Sequence, residues 1–313
     1  MKVNKSIIIG AALLIGSITV NAQGLLNLVD SVQKDQKQPL APLESTWKDT
    51  RLILAQTTKT PAPGVMVFRI MHRFGDAGGI SGGIQSMYGF DVVTDIYLSF
   101  DFGVTKNLEL GFGRSKDNQL LDGSFKYKLL TQKSEGMPIS MAVYGDAGIT
   151  PESDALLYNG ADSALNKSFL DKISYFGELI IDRRFGNFGS FEVYGGLSHR
   201  NYILNATNRN NGANDLNDVP MAGAAGRIRL TKHAAVVFEY FYTISPYRMN
   251  NPTVPYYNGF SVGYEIETGG HVFEINFSNI AFINENNFVP NTNDSWGNGG
   301  FKLGFSISRA FNL

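Results

Sequence analysis

The chain has 313 residues, no cysteine, a formal net charge of −1 and 18 % charged side chains, against 22 Phe, 14 Tyr and 34 Gly. Without cysteine neither a disulfide framework nor a thiolate metal site is open to it, and the near-neutral balance argues against a nucleic-acid surface. Few charges, many aromatics and many glycines, with no long apolar run after Val20, point to an all-β protein rather than a helical one.

The opening MKVNKSIIIGAALLIGSITVNAQG combines Lys2 and Lys5, an apolar run from Ile7 to Val20 and a small residue at Ala22. This is the layout of a cleavable secretory signal over residues 1–22, its apolar run being shorter than the ~20 residues a membrane-spanning helix needs. A lipid-modified cysteine after the signal is excluded by composition. Residues 23–63 are too few to build a core of their own. Pro39, Pro42, Pro61 and Pro63 mark them as extended, and they read either as a periplasmic tether or, through TRLILAQTT, as a plug that pairs locally or enters a lumen.

Residues 64–313 alternate apolar and polar side chains in segment after segment, the period of two that marks β-strands. VMVFRIMHRFG sets Met66, Phe68, Ile70 and Phe74 against Arg69 and Arg73; DIYLSFDFGV sets Ile96, Leu98, Phe100 and Phe102 against Asp95, Ser99 and Asp101. In LELGFGR, Leu108, Leu110 and Phe112 oppose Glu109, and in LDGSFKYKLL, Leu121, Phe125, Tyr127 and Leu129 oppose Asp122, Ser124, Lys126 and Lys128. PISMAVYGDAG, KISYFGELIIDRRF, SFEVYGGLSHRNY, MAGAAGRIRLT, AAVVFEYFYTI, FSVGYEIET, HVFEINFSN and FKLGFSISRAFNL continue the pattern, for roughly twelve strands in all.

The connections alternate too. TKN, QKSEGM, FGNFGS, TKH and TGG are short; the intervening ones are long and polar, SKDNQ excepted. Tight turns on one rim and long loops on the other are the layout of a transmembrane antiparallel up-and-down β-barrel, with turns in the periplasm and loops outside. Strands of ~9–11 residues suit a bilayer, where a sheet must close on itself to satisfy its backbone. An even strand number puts both termini on the periplasmic side, and the last strand is expected to pair with VMVFRIMHRFG. Tyr88, Phe90, Tyr202, Tyr242, Tyr247 and Tyr257 fall near strand ends, where an interfacial aromatic belt belongs.

FRIMHRFGDAGG, LELGFGRSKDNQLLDGSFKYKLLTQ, LTKHAAVVFEYFY and ETGGHVFEINFSN together resemble an outer-membrane β-barrel family of Gram-negative bacteria whose function is unknown, from about Ser45 to the C-terminus. The resemblance implies a fold and a cell outer membrane location, and it brings no substrate, catalytic residue or ligand with it. Barrels of this broader class often end on an aromatic residue; here the last residue is Leu313, with Phe311 on the same face.

The polar face supplies the lumen-lining candidates: Arg69, Arg73, Asp95, Asp101, Glu109, Asp122, Lys126, Lys128, Glu178, Asp182, Arg227, Arg229, Glu239, Glu265, Glu267, Glu274 and Lys302. They suit either ion pairs that fill the barrel or a polar path for a small hydrophilic solute. His72, His199, His233 and His271 show no metal-ligand spacing, and Ser198 and His199, adjacent in a strand, point to opposite faces and make no nucleophile and base. No catalytic, cofactor or metal site is expected. The leading expectation is a channel or transport-related pore for small polar solutes. A closed structural or interaction barrel, binding a protein through its outer loops or N-terminal segment, is the alternative, and an outer-membrane lipid hydrolase the third. Expected partners are outer-membrane lipids and the barrel-assembly machinery, with no nucleic acid.

Overall fold

The computed structural model describes residues 42–151 and 168–313. The expected signal over residues 1–22, and residues 23–41 of the segment that follows it, lie outside the described residues. Twelve strands run β1 (Val65–Asp76), β2 (Val93–Gly103), β3 (Leu108–Ser115), β4 (Leu121–Leu130), β5 (Ser140–Ile149), β6 (Ile173–Phe185), β7 (Gly189–Arg200), β8 (Asp218–Arg229), β9 (Ala234–Thr243), β10 (Gly259–Thr268), β11 (His271–Ser278) and β12 (Lys302–Asn312). Each pairs antiparallel with its neighbours in sequence, and β12 pairs with β1, so the sheet closes into a barrel with no free edge. The expected twelve-stranded up-and-down barrel is what the chain forms.

The turn chemistry makes the short connections possible. β10 and β11 meet across Gly269 and Gly270, whose φ angles of 55° and 83° are those of a two-residue I′ hairpin turn, a backbone that residues with a Cβ adopt poorly. At the seam, Val65 lies opposite Asn312 and Arg73 opposite Gly304, with a register shift between Arg73 and Asp76 where β1 nears its long loop.

Because successive side chains alternate across a closed sheet, one set faces outward and the other into the barrel. The outward set is apolar and exposed: Leu98, Phe100, Phe102, Leu110, Phe112, Phe125, Phe273, Ile275 and Phe277 ring the wall without a charge in mid-strand. So continuous an apolar surface is uncommon on a water-soluble monomer and suits lipid contact. Tyr88, Phe90, Tyr242 and Tyr257 stand exposed at the long-loop rim, in keeping with the expected belt; Tyr247 does not. Its ring is buried, 6 % exposed, against Tyr256 and Arg248 inside a loop cluster.

The buried cluster of the protein lies inside the barrel. Trp47, Leu52, Ile53, Leu54 and Ala55 from the segment before β1 pack with Tyr97, Tyr144, Phe176, Ile180, Tyr194 and Phe241 of the wall and with Ile280, Ile283 and Phe288 of the β11–β12 loop. Glycine makes room for the inward tyrosines. A Cβ on Gly113 would fall 2.1 Å from the Tyr97 hydroxyl, and one on Gly223 would fall 2.2 Å from Tyr194 Cε2.

Candidate functional site

The candidate site is the lumen, and three elements build it: the inner wall, a hairpin from residues 42–63 and the β11–β12 loop. The hairpin enters at the short-turn rim, where the Leu43 N–H donates to the Gln132 carbonyl and Arg184 Nη1 to the Glu44 carbonyl. It turns back on itself deep inside. The Leu52 N–H donates to Ala55 and the Thr57 N–H to Thr50, while Arg51 and Gln56 bridge. It leaves by the rim it entered, where the Thr60 hydroxyl donates to the Lys106 carbonyl of the β2–β3 turn. TRLILAQTT therefore pairs locally and occupies the lumen at once.

The wall answers the hairpin's polar atoms one by one, as burial away from water demands. Arg69 forks onto Asp49, with Nε donating to Oδ2 at 3.1 Å and Nη2 to Oδ1 at 2.6 Å, and its Nη1 reaches Asp101 Oδ2 at 2.8 Å. The Thr50 hydroxyl donates to the same Asp101 oxygen at 2.9 Å. Lys126 Nζ donates to the Thr50 carbonyl at 2.7 Å and lies 3.3 Å from Glu109. At the tip, the Leu54 and Ala55 N–H groups both donate to Glu239 Oε2 at 2.9 Å, and Trp47 Nε1 donates to Asp182 at 2.7 Å. Burial by itself would raise the Asp49 carboxyl, but the charge and hydrogen bonds of Arg69 outweigh it and hold its pKa down at about 2.

From the long-loop rim the β11–β12 loop dips inward and makes a single helical turn, Glu285–Phe288, capped by the Asn284 side chain. Its Ile283 N–H donates to Asp95 Oδ2 at 2.9 Å, Asn286 donates to Asp146, and the Phe288 ring meets Phe241 edge-on with centroids 4.9 Å apart. Hairpin and loop touch at mid-lumen. Arg51 Nη2 sits 3.1 Å from Glu285 Oε1, and Gln56 Nε2 donates to that oxygen at 3.0 Å. Beside this contact, among Arg51, Gln56, Arg69, Tyr97 and Glu109, the remaining cavity measures about 10 Å³, scarcely a single water.

Arg69, Arg73, Asp95, Asp101, Glu109, Asp122, Lys126, Glu178, Asp182, Arg227, Glu239, Glu265, Glu274 and Lys302 are all buried, on the inward side of their strands. Lys128, Arg229 and Glu267 are half-buried toward the short-turn rim, where Glu267 pairs with Lys48 at 2.6 Å. Lys302 lies at the other end, held by Asp76 at 2.6 Å and Asp294 at 2.5 Å. These residues do not form one cluster: Arg227 with Glu265, Arg73 with Asn276, and Asp122 with Tyr97 are separate contacts around the wall. Asp146 and Glu192 bring the buried strand carboxylates to eleven, against the five buried strand cations Arg69, Arg73, Lys126, Arg227 and Lys302. Both Glu192 carboxylate oxygens lack a hydrogen-bond partner in the protein. The inner wall thus holds more carboxyl groups than cationic side chains.

Sequence reasoning missed Asp49, Arg51, Trp47 and Glu285 as lumen residues. Apolar residues in a long loop, Ile280, Ile283, Phe288 and Val289, were the available signal that the loop turns inward. Ser198 is fully buried inside while His199 bonds Asp218 at 2.8 Å and Asn201 at 3.0 Å on the other face. Among the described residues no group of three or more His, Asp or Glu side chains is placed to hold a metal ion.

A family model described as "Membrane bound beta barrel domain (DUF5777)" matches residues 47–311. No curated protein matches the chain. Similar solved structures include the NanC porin (7 % identity, TM-score 0.47, covering 79 % of this chain and 100 % of that one). An outer membrane channel from Pseudomonas putida F1 is similar at 11 % identity and TM-score 0.47, over 81 % of this chain and 97 % of that one. A Pseudomonas aeruginosa FadL homologue is similar at 8 % identity and TM-score 0.39, over 87 % and 99 %.

Proposed function

Because the chain belongs to the membrane-bound β-barrel domain family, we propose that it is an outer-membrane channel for small polar solutes, held shut by its own N-terminal hairpin and β11–β12 loop. In this reading the termini and short turns are periplasmic and the long loops are extracellular. The observation that carries it is that the wall is complete without the hairpin. All twelve strands pair with one another, and residues 43–60 contribute no strand to the sheet. The hairpin can therefore leave through the rim by which it entered without opening the wall, exposing a polar passage. The excess of inner carboxylates would then favour cations over anions.

Planar bilayers test this. The full chain is expected to stay closed with brief openings. A variant lacking residues 43–60 is expected to show discrete conductance steps with a cation-selective reversal potential in a salt gradient. If a folded variant lacking both the hairpin and the inward part of the β11–β12 loop never conducts, the channel reading fails.

The rival reading, a closed barrel that binds a partner through its outer loops, is favoured by how little space is left beside the Arg51–Glu285 contact. A stoichiometric protein co-purifying from solubilised envelopes, together with absent conductance, would decide for it.

A further inference from the structure

A second feature lies outside the lumen, at the long-loop rim. A cavity of about 360 Å³ opens between the β9–β10 and β11–β12 loops, lined among others by Tyr242, Ile244, Arg248, Met249, Tyr257 and Val289. Arg248 is 5 % exposed. Its Nε donates to the Pro290 carbonyl at 2.9 Å and its Nη1 to Asp215 at 2.8 Å and Ser245 at 3.1 Å, while its guanidinium lies over the rings of Tyr247 and Tyr256. Its Nη2 is buried with no hydrogen-bond partner in the protein.

Charge is also out of balance there. Asp215 accepts from Arg248 and, at 3.2 Å, from Arg200 Nη2, so one carboxylate serves two guanidinium groups. Arg200 Nε, like Arg248 Nη2, is buried and unanswered. A surplus cation held out of water with idle donors costs free energy unless an anion completes it. Around the cavity the apolar side chains are open to the surroundings: Ile244 is 47 % exposed, Tyr242 46 % and Met249 60 %. Tyr242 belongs to the outward, lipid-facing set of β9, so the cavity borders the membrane as well as the loops.

We propose that this cavity binds the anionic headgroup, phosphate or carboxylate, of a membrane amphiphile, with Arg248 as the principal anion contact and the Tyr242–Ile244–Met249 flank receiving the start of the apolar chain. Arg200 acts through Asp215, which it shares with Arg248, and adds to the local positive charge. The site does not rest on the channel reading: its charged residues, Arg248, Arg200 and Asp215, lie at the long-loop rim, and it touches the lumen filling only through the β11–β12 loop at Val289.

Titration of the full chain in neutral detergent, read by native mass spectrometry, tests the proposal with three probes: a short-chain phosphatidate, the diacylglycerol of equal chain length and inorganic phosphate. Phosphatidate is expected to be retained at one per barrel, at least tenfold tighter than either control. Arg248→Gln and Met249→Trp are each expected to weaken it at least tenfold, while Arg114→Gln, an exposed arginine elsewhere on the same rim, leaves it unchanged. Equal binding of diacylglycerol would mean an apolar crevice only, and equal binding of phosphate a free-anion site; either result overturns the proposal. Unchanged affinity in both variants does so too. If Arg248 only staples the loops, wild-type protein retains no phosphatidate. If Arg248→Gln fails to fold, the exposed Met249→Trp decides.

Discussion

Arg51 and Glu285, 234 positions apart in sequence, meet 3.1 Å apart inside the barrel, and both side chains are almost wholly buried. One arrives from the short-turn rim and the other from the long-loop rim, so this pair joins two segments that share no strand. Removing one partner strands the other's charge in a dry interior, at a cost of about 3–5 kcal/mol. Arg51→Leu or Glu285→Gln is expected to lower the temperature at which the folded band is lost on semi-native gels and to raise the open fraction in bilayers. The double variant should recover most of the thermal loss, because no unpaired charge is left.

Acid should loosen the hairpin through Asp49. Its folded pKa of about 2 lies below the ~4 of an unfolded carboxylate, so the stabilisation is fully present above pH 4 and is lost as pH falls from about 4 to 2. The shift corresponds to about 2 kcal/mol. Hydrogen exchange at the Leu54 and Ala55 amides, corrected for the intrinsic pH dependence of exchange, is expected to show strong protection at pH 5 and above and weaker protection at pH 2–3. Asp49→Asn should remove that acid step while leaving barrel assembly intact.

The outer wall should reject charge in proportion to depth. Ile275, 58 % exposed in the middle of β11, is expected to cost about 2–4 kcal/mol when replaced by arginine, measured by reversible unfolding in lipid vesicles. Leu313→Arg, at the end of the chain beside the rim, should cost less than about 1 kcal/mol.

Gly113 should be intolerant even of a methyl group, because the Tyr97 hydroxyl occupies that space on its way to Asp122 at 2.8 Å. Gly113→Ala is expected to destabilise by about 1–3 kcal/mol. Combining it with Tyr97→Phe should return part of the loss, since the nearest clashing atom is then gone while the ring carbon at 2.5 Å and Asp122 Oδ2 at 2.8 Å remain; an unaltered loss would mean that these two, and not the hydroxyl, set the cost.

The wall was legible in the sequence because a membrane barrel writes itself in a short code. Period-two alternation, read over Leu98–Phe100–Phe102 and Asp95–Ser99–Asp101, assigns each residue to a face, and the alternation of short and long connections assigns each rim. Both signals are local. The filling of the lumen was not legible, because it depends on contacts such as Leu54 to Glu239 and Ile283 to Asp95, far apart in sequence and without period. Leu52, Ile53 and Leu54 announced an apolar stretch without saying where it would be buried. The misplacement of Tyr247 has the same origin: nearness to a strand end implied the interface, and packing against Arg248 and Tyr256 drew it into the loops.

The closing strand carries a further expectation. Residues 301–313 supply one side of the seam, so their deletion should leave β1 and β11 as open edges and abolish membrane assembly, seen as loss of the heat-modifiable band.

At that seam the Leu313 N–H donates to the Gly64 carbonyl, at the hinge between the hairpin and β1. Leu313, just past β12, therefore docks beside the root of the element that fills the barrel. A hoop cannot be stuffed from its side once it is shut, and this one keeps its cargo tethered at the clasp. Wall and filling are thus moored at one place: the contact that ends the seam also fixes the root of what lies inside it.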